Sequence, residues 1–193
     1  MMNFLNQLII RISKSGWLYV IVFAGFFATL QALLRIGDRF PEHTAGAVPF
    51  DLQNQLTAEQ IFTQLTGYTD EAFRLYYVFT SIDYFFPLFA GFFLGATAAF
   101  LLRHSLPRWY SIAEQKNLFV LFLLATLLDW LENITLLSVI VGYPNEFSTV
   151  AVLAVFAKMG KLGFVFLFQT FILVLLLFST GKWLALKAGL LKS

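Results

Sequence analysis

The chain has 193 residues, of which 59% are hydrophobic and only 12% charged; its mean hydropathy is +0.77 and its formal net charge +2. Soluble domains carry about 25% charged residues, so this composition excludes an ordinary aqueous globule, a disordered chain and a collagen-like fibre. The absence of cysteine excludes disulfides, thiolate metal sites, iron–sulfur clusters and a cysteine nucleophile.

Four apolar runs are long enough for a helix to cross roughly 30 Å of hydrocarbon, which takes about 20 residues. They cover about 17–34, 74–102, 118–141 and 149–178. Helices are expected because only helices and closed barrels satisfy the backbone in lipid, and the short alternating segments of a barrel are absent. The expected fold is therefore an all-α membrane protein: one domain over 1–193, built as a four-transmembrane-helix bundle.

The first run follows Arg11 and Lys14 and imitates a signal peptide, but no small-x-small site closes it, so a retained anchor is expected. Residues 37–73 then form a long polar loop. Within it, Leu52, Leu56, Phe62 and Leu65 fall near helical spacing, and Thr57 and Gln60 stand in a capping-box relation. A short amphipathic helix or pair of turns over 51–65 is predicted, lying on the outer membrane face as a packed loop or as a lid.

The second run contains Asp83 with Thr80 one turn before it. Pro87 follows, and its ring must displace the carbonyl of Asp83. A kinked helix with a freed carbonyl beside a carboxylate is predicted, with Tyr76, Tyr77, Ser81 and Tyr84 nearby. Gly91 and Gly95, extended by Ala99, form a GxxxG pattern that suits close helix packing or a homodimer contact. The third run carries Asp129, Glu132 and Asn133 on one helix face, and the fourth carries Lys158 and Lys161 on another.

Charges outside these runs segregate. Arg11, Lys14, Arg103, Arg108, Lys116, Lys182, Lys187 and Lys192 lie in the N-terminus, the second-to-third loop and the C-terminus, accompanied by Glu114. Asp38, Glu42, Asp51, Glu59, Asp70, Glu71 and Glu146 lie on the other side with Arg35, Arg39 and Arg74. The positive-inside rule puts both termini in the cytoplasm and the 37–73 loop outside. The basic residues serve topology and contacts to anionic headgroups; a nucleic-acid partner would need a denser basic surface with stacking aromatics.

Five ionisable residues remain inside the runs: Asp83, Asp129, Glu132, Lys158 and Lys161. Glu132 and Lys158 each lie about nine residues from the outer helix end, and Asp129 and Lys161 about twelve, or roughly 13 and 18 Å. Helices joined by the short 143–148 connection are antiparallel neighbours, so Glu132 is expected to meet Lys158 and Asp129 to meet Lys161, or else the two lysines bracket a single carboxylate. Three acids then face two lysines. Unless a loop arginine dips in, one carboxyl must be protonated or matched by a cationic ligand or ion.

Charged groups in a membrane span are costly and start as functional-site hypotheses. The candidate ligand-binding set is Asp83, Asp129, Glu132, Asn133, Lys158, Lys161, Tyr84 and Thr80, with Phe79, Tyr84 and Phe85 lining an apolar part. The natural guest is a small amphipathic or lipid-like molecule. If chemistry occurs, Asp83, Asp129 or Glu132 would transfer a proton. Proton or ion translocation and a scaffold role, in which buried ion pairs only fix helix packing, are the rival readings. No nucleotide or cofactor motif is present, and His43 and His104 fall on opposite sides of the membrane, so no haem or histidine metal site is expected.

The pattern Gly67…Arg74-x-x-Tyr77, Asp83-x-x-Phe86-Pro87, Asp129-x-x-Glu132-Asn133 and a lysine on the fourth run resembles a group of small bacterial four-span membrane proteins with no established activity. The resemblance spans about 56–180. It implies a four-span architecture in a bacterial cytoplasmic membrane and lends no function. In architecture alone the chain is also loosely similar to EXPERA proteins, four-helix membrane proteins that hold cationic guests between carboxylates and aromatics; their motif has no residue-by-residue counterpart here.

Overall fold

The computed structural model describes residues 1–189; Lys192 lies outside them. The described residues are helical, with no strand. Four helical segments are long and apolar enough to cross a membrane: Gly16–His43, Asp70–Ser105, Leu118–Gly142 and Ser148–Lys187. They match the four expected runs, and each extends beyond the predicted bounds on at least one side.

Before the first span lies α1 (Met2–Lys14), a helix absent from the sequence prediction. Its Ile9, Ile10 and Ile12 are buried while Arg11 and Lys14 are not. Asn6 explains its attachment. Its amide donates to the Glu114 carbonyl (3.3 Å) and its Oδ1 accepts from the Phe119 N–H (3.1 Å), clamping the turn that leads into the third span. Ser15 ends α1 and caps α2 (Gly16–Arg39) by accepting from the Leu18 N–H.

The connection from α2 to the second span begins with a 3-10 turn, Phe40–His43, and contains another at Phe50–Leu52. The predicted 51–65 helix is shorter: α3 runs Ala58–Leu65. Thr57 sets its start. Its hydroxyl accepts from the Gln60 N–H (3.2 Å) and Gln60 Oε1 accepts from the Thr57 N–H (2.9 Å), the expected capping box. Ile61, Phe62 and Leu65 then bury against Phe40, Phe50, Tyr68 and Tyr76.

The second span is two helices, α4 (Asp70–Asp83) and α5 (Phe86–Ser105), with the break where Pro87 requires it. The carbonyl exposed there and collected by a neighbour is that of Tyr84, which accepts from Trp130 Nε1–H (2.9 Å), rather than that of Asp83 as expected. Thr126 Oγ1 donates to the Pro87 carbonyl (2.7 Å). After α6 (Pro107–Gln115), a 3-10 segment, Leu118–Leu123, leads into α7 (Leu124–Gly142). The break is thus held by side chains of α7.

The last helix, α8 (Ser148–Lys187), has 40 residues. At 1.5 Å per residue it is about 60 Å long, roughly twice the hydrocarbon thickness. Its far end stays with the bundle: Lys182 donates to the Ser105 carbonyl (2.8 Å), satisfying the C-terminus of α5. α8 packs along α7, and both α2 and α8 lie on α5 without packing extensively on each other.

Gly91 and Gly95 do not form an outward face. Both are buried: a Cβ on Gly91 would lie 2.8 Å from Leu123 and 2.9 Å from Thr126 Oγ1, and one on Gly95 would lie 3.2 Å from Ile9. The surface that the GxxxG pattern would offer a second copy is occupied by α1 and the third span of the same chain. Gly91→Ala is expected to cost about 1–3 kcal/mol of stability by overpacking and to leave the oligomeric state unchanged. Thermal unfolding and light scattering in detergent check both; a change in oligomeric state would contradict this packing.

Candidate functional site

The cluster is assembled from three directions. α7 turns Asp129, Glu132 and Asn133 inward at i, i+3 and i+4, and α8 presents Lys158 and Lys161 at the same level. The expected pairs form: Lys158 Nζ lies 3.1 Å from Glu132 Oε1, and Lys161 Nζ 2.8 Å from Asp129 Oδ1. Lys161 also lies 2.6 Å from Glu132 Oε2, so the two rungs are cross-linked into a network.

The third direction was not anticipated. Asp51, placed in water by the sequence reading, reaches in from the 40–57 connection and pairs with Lys161. Lys158 holds the same turn by its backbone, donating to the carbonyls of Phe50 (3.1 Å) and Asp51 (2.6 Å). Phe50 stacks on Tyr68 and packs against Tyr76, with Phe40 beside both, so an aromatic cap closes over the lysines. Sequence reasoning allowed for an arginine dipping in; Arg35, Arg39 and Arg74 are exposed, and an acid takes that place instead.

Among the described residues, Asp83 meets no lysine. Its Oδ2 accepts from Asn133 Nδ2 (2.9 Å), and the same amide donates to Asp129 Oδ2 (3.2 Å), so Asn133 joins the two carboxylates. Asp83 is 1% exposed, and its Oδ1 has no partner. Thr80 Oγ1 and Tyr76 Oη, on the same face of α4, are also buried and unpartnered. Four acids (Asp51, Asp83, Asp129, Glu132) therefore face two lysines, a larger imbalance than the sequence indicated.

Burial opposes ionisation of Asp51, but Lys161 and Lys158 outweigh it and hold its carboxyl below the ordinary carboxylate range. Tyr68 in the cap is pushed well above the ordinary phenol range by burial. One oxygen each of Asp51, Asp129 and Glu132 lies within 4.8 Å of the others, a spacing that would suit a metal ion. Lys161 Nζ contacts one oxygen of each of these three carboxylates, so its ammonium already supplies a cation there.

Beside the cluster is a groove of about 320 Å³. Asp51, Asp129 and Lys161 line it at the cluster end, Ala90, Gly91 and Ala125 leave it room, and Gln169 lies two turns further along α8. Its aromatic walls follow from the gap between α2 and α8: Phe26 stacks with Phe86 and Phe93 on one side (5.4 and 5.8 Å between ring centres), and Phe122 meets Phe168 on the other (4.6 Å). The expected lining by Phe79, Tyr84 and Phe85 is corrected. Phe79 is buried in the cap, Phe85 is exposed and Tyr84 is half-buried without a hydrogen bond from its hydroxyl among the described residues. Tyr84 and Phe85 fall in the interruption between α4 and α5. Tyr77 and Ser81 likewise face outward.

No family model matches the chain. Comparison with curated proteins gives no match, and comparison with solved structures gives none. The site is therefore read from its own geometry.

Two results are expected. Asp83→Asn should leave the melting temperature unchanged or raise it, because no cation is lost. Lys158→Met should lower stability by about 3–5 kcal/mol, since it leaves four carboxyls to Lys161 alone, removes the ionic partner of Glu132 Oε1 and frees the Phe50–Asp51 turn. Thermal unfolding of the two variants beside wild type separates them; a large loss in Asp83→Asn would show a hidden ionic partner. The depressed Asp51 carboxyl has its own pH window. Its stabilisation is present above the ordinary value of about 3.9 and is lost as pH falls through the lower folded value. Protease nicking of the 44–57 segment should stay flat from about pH 8 to 5 and rise only below about 4, while Asp51→Asn should be nicked throughout.

Proposed function

We propose that this chain is a multi-pass membrane protein that binds a small amphipathic or lipid-like molecule in the groove between α2, α5 and α8. The observation that carries the reading is the groove's composition: aromatic walls and small residues along its length, with Asp51, Asp129 and Lys161 at one end. Ligand sites are typically mostly apolar clefts of about 300 Å³ or more with a few placed polar groups. Asp83, Glu132, Asn133 and Lys158 stand behind the contact residues and fix their charge and orientation. Thr80 belongs to the same interior face, and Tyr84 to its margin.

The distribution of basic residues supports an orientation with α1, α6 and the C-terminal part of α8 in the cytoplasm and the 40–69 connection outside. A bacterial cytoplasmic membrane is the setting implied by the resemblance described above. The groove then lies in the hydrocarbon, below the outer cap, and its guest comes from the bilayer.

Translocation has less support. A path needs polar groups continuing toward the α1–α6 end, where the interior is mostly apolar (Ile9, Ala96, Ala99, Phe119, Phe122 and Ile172) and the buried Tyr110 hydroxyl has no partner among the described residues. The buried Asn6 and Thr126 there are spent on backbone groups. A scaffold role accounts for the ion pairs but leaves the groove and the unmatched carboxylates without a purpose.

The test is photolabelling in phosphatidylcholine nanodiscs with a twelve-carbon alcohol bearing a diazirine near its tail. Adducts are expected to concentrate in 86–94 and 162–169, and to fall severalfold in an Ala90→Phe protein that keeps its melting temperature. Adducts spread evenly over the lipid-facing surface would overturn the proposal.

A further inference from the structure

Resting on the groove reading, the hydrogen-bond inventory of the cluster narrows the ligand's chemistry. An ammonium has three donors and no acceptor. Lys158 directs its three to Glu132 Oε1 and the carbonyls of Phe50 and Asp51. Lys161 donates to Asp51, and oxygens of Asp129 and Glu132 lie 2.8 and 2.6 Å from its Nζ, so carboxylates surround its charge. The Asn133 amide spends both hydrogens on Asp83 and Asp129. Each ammonium is thus already enclosed by oxygens of this chain.

The acceptors are not all matched. Asp83 Oδ1 is buried without a partner, and four carboxyls share two ammonium groups. The unpartnered hydroxyls of Thr80 and Tyr76 are neutral and cannot balance charge. An anionic headgroup arriving at the groove end would meet two carboxylates and one lysine whose charge carboxylate oxygens already surround. A cationic headgroup would meet Asp51 and Asp129, with the unmatched Asp83 one amide behind them.

We infer that the groove takes a cationic amphiphile, a protonated amine on an apolar body, whose head pairs with Asp129 and Asp51 while its body lies between Phe86, Phe122 and Phe168. The positive charge supplied by the guest makes up part of what the two lysines leave unmatched. Charge-assisted hydrogen bonds to carboxylates in a site shielded from water are among the stronger polar contacts a ligand can make.

The experiment uses the full chain in phosphatidylcholine nanodiscs at pH 7 and three diazirine probes with the same twelve-carbon tail. Their heads are an amine, an alcohol and a carboxylate, compared at equal mole fraction in the bilayer. The amine is expected to label 86–94 and 162–169 at least tenfold more than the alcohol, with the carboxylate weakest. Asp129→Asn should reduce the amine's advantage to severalfold or less. If that variant does not fold, Asp83→Asn, which removes no ionic partner, should reduce it in the same sense. Groove labelling that is equal for amine and alcohol, or strongest for the carboxylate, would overturn this inference while leaving the groove reading intact. No groove labelling by any of the three would overturn both.

Discussion

The ammonium of Lys161, surrounded by carboxylates from α7 and from the 40–57 connection, is the contact on which the rest of this protein depends. Burying one ion costs several kcal/mol, and the attraction of a partner repays it only when the geometry is good. Asp129 and Glu132 therefore fix the register of α7 against α8, since a slide of one residue would turn at least one carboxylate away. Asp51 extends the same constraint to a loop whose entry is otherwise anchored by the buried Phe50. Lys158, one turn earlier, secures it by the backbone. Two lysines on one helix thus determine where a second helix and a distant loop must be.

The break between α4 and α5 serves the same arrangement from the other side. Pro87 forbids a continuous ladder, and α7 fills the gap: Trp130 takes the Tyr84 carbonyl and Thr126 takes that of Pro87. Trp130 and Thr126 flank Asp129 in sequence, so the helix that carries the acids also holds the interruption that brings Asp83 to Asn133. Gly91 lets α7 come close enough for this.

The α7–α8 pairing was legible because helical spacing and a short connection are local rules: Asp129, Glu132, Lys158 and Lys161 could be matched by depth alone. The capping box at Thr57 and Gln60 was legible for the same reason. Asp51 was not, because an acid in a polar loop is exposed by default and no periodicity marks the one that turns inward. Its only signal was its position between Phe50 and Leu52, two apolar residues in a polar stretch. α1 was hidden differently. It is too short and too polar to read as a span, and the role of Asn6 depends on backbone groups at Glu114 and Phe119, far along the chain. The groove's walls belong to α2, α5, the third span and α8, a combination that follows from which helices fail to touch, and pairwise patterns do not report gaps.

That gap also decides the direction of access. From the loop end the cluster is closed by Phe40, Phe50, Tyr68 and Tyr76, with the Phe50–Asp51 turn held against Lys158. From the other end it is closed by close packing of Ile9, Ala96, Phe119 and Phe122. Between α2 and α8, where both helices rest on α5 without packing extensively on each other, the walls part. In the bilayer setting proposed above, that opening faces lipid tails. A molecule reaching Asp129 and Asp51 by this route must first dissolve in the membrane, which selects an apolar body, and must then be worth more to the carboxylates than the lipid it displaces, which selects a polar head. An inorganic ion satisfies only the second condition and a plain alkane only the first. The requirement for both together is imposed by the position of two closed ends and one open side, independently of any single contact within the groove.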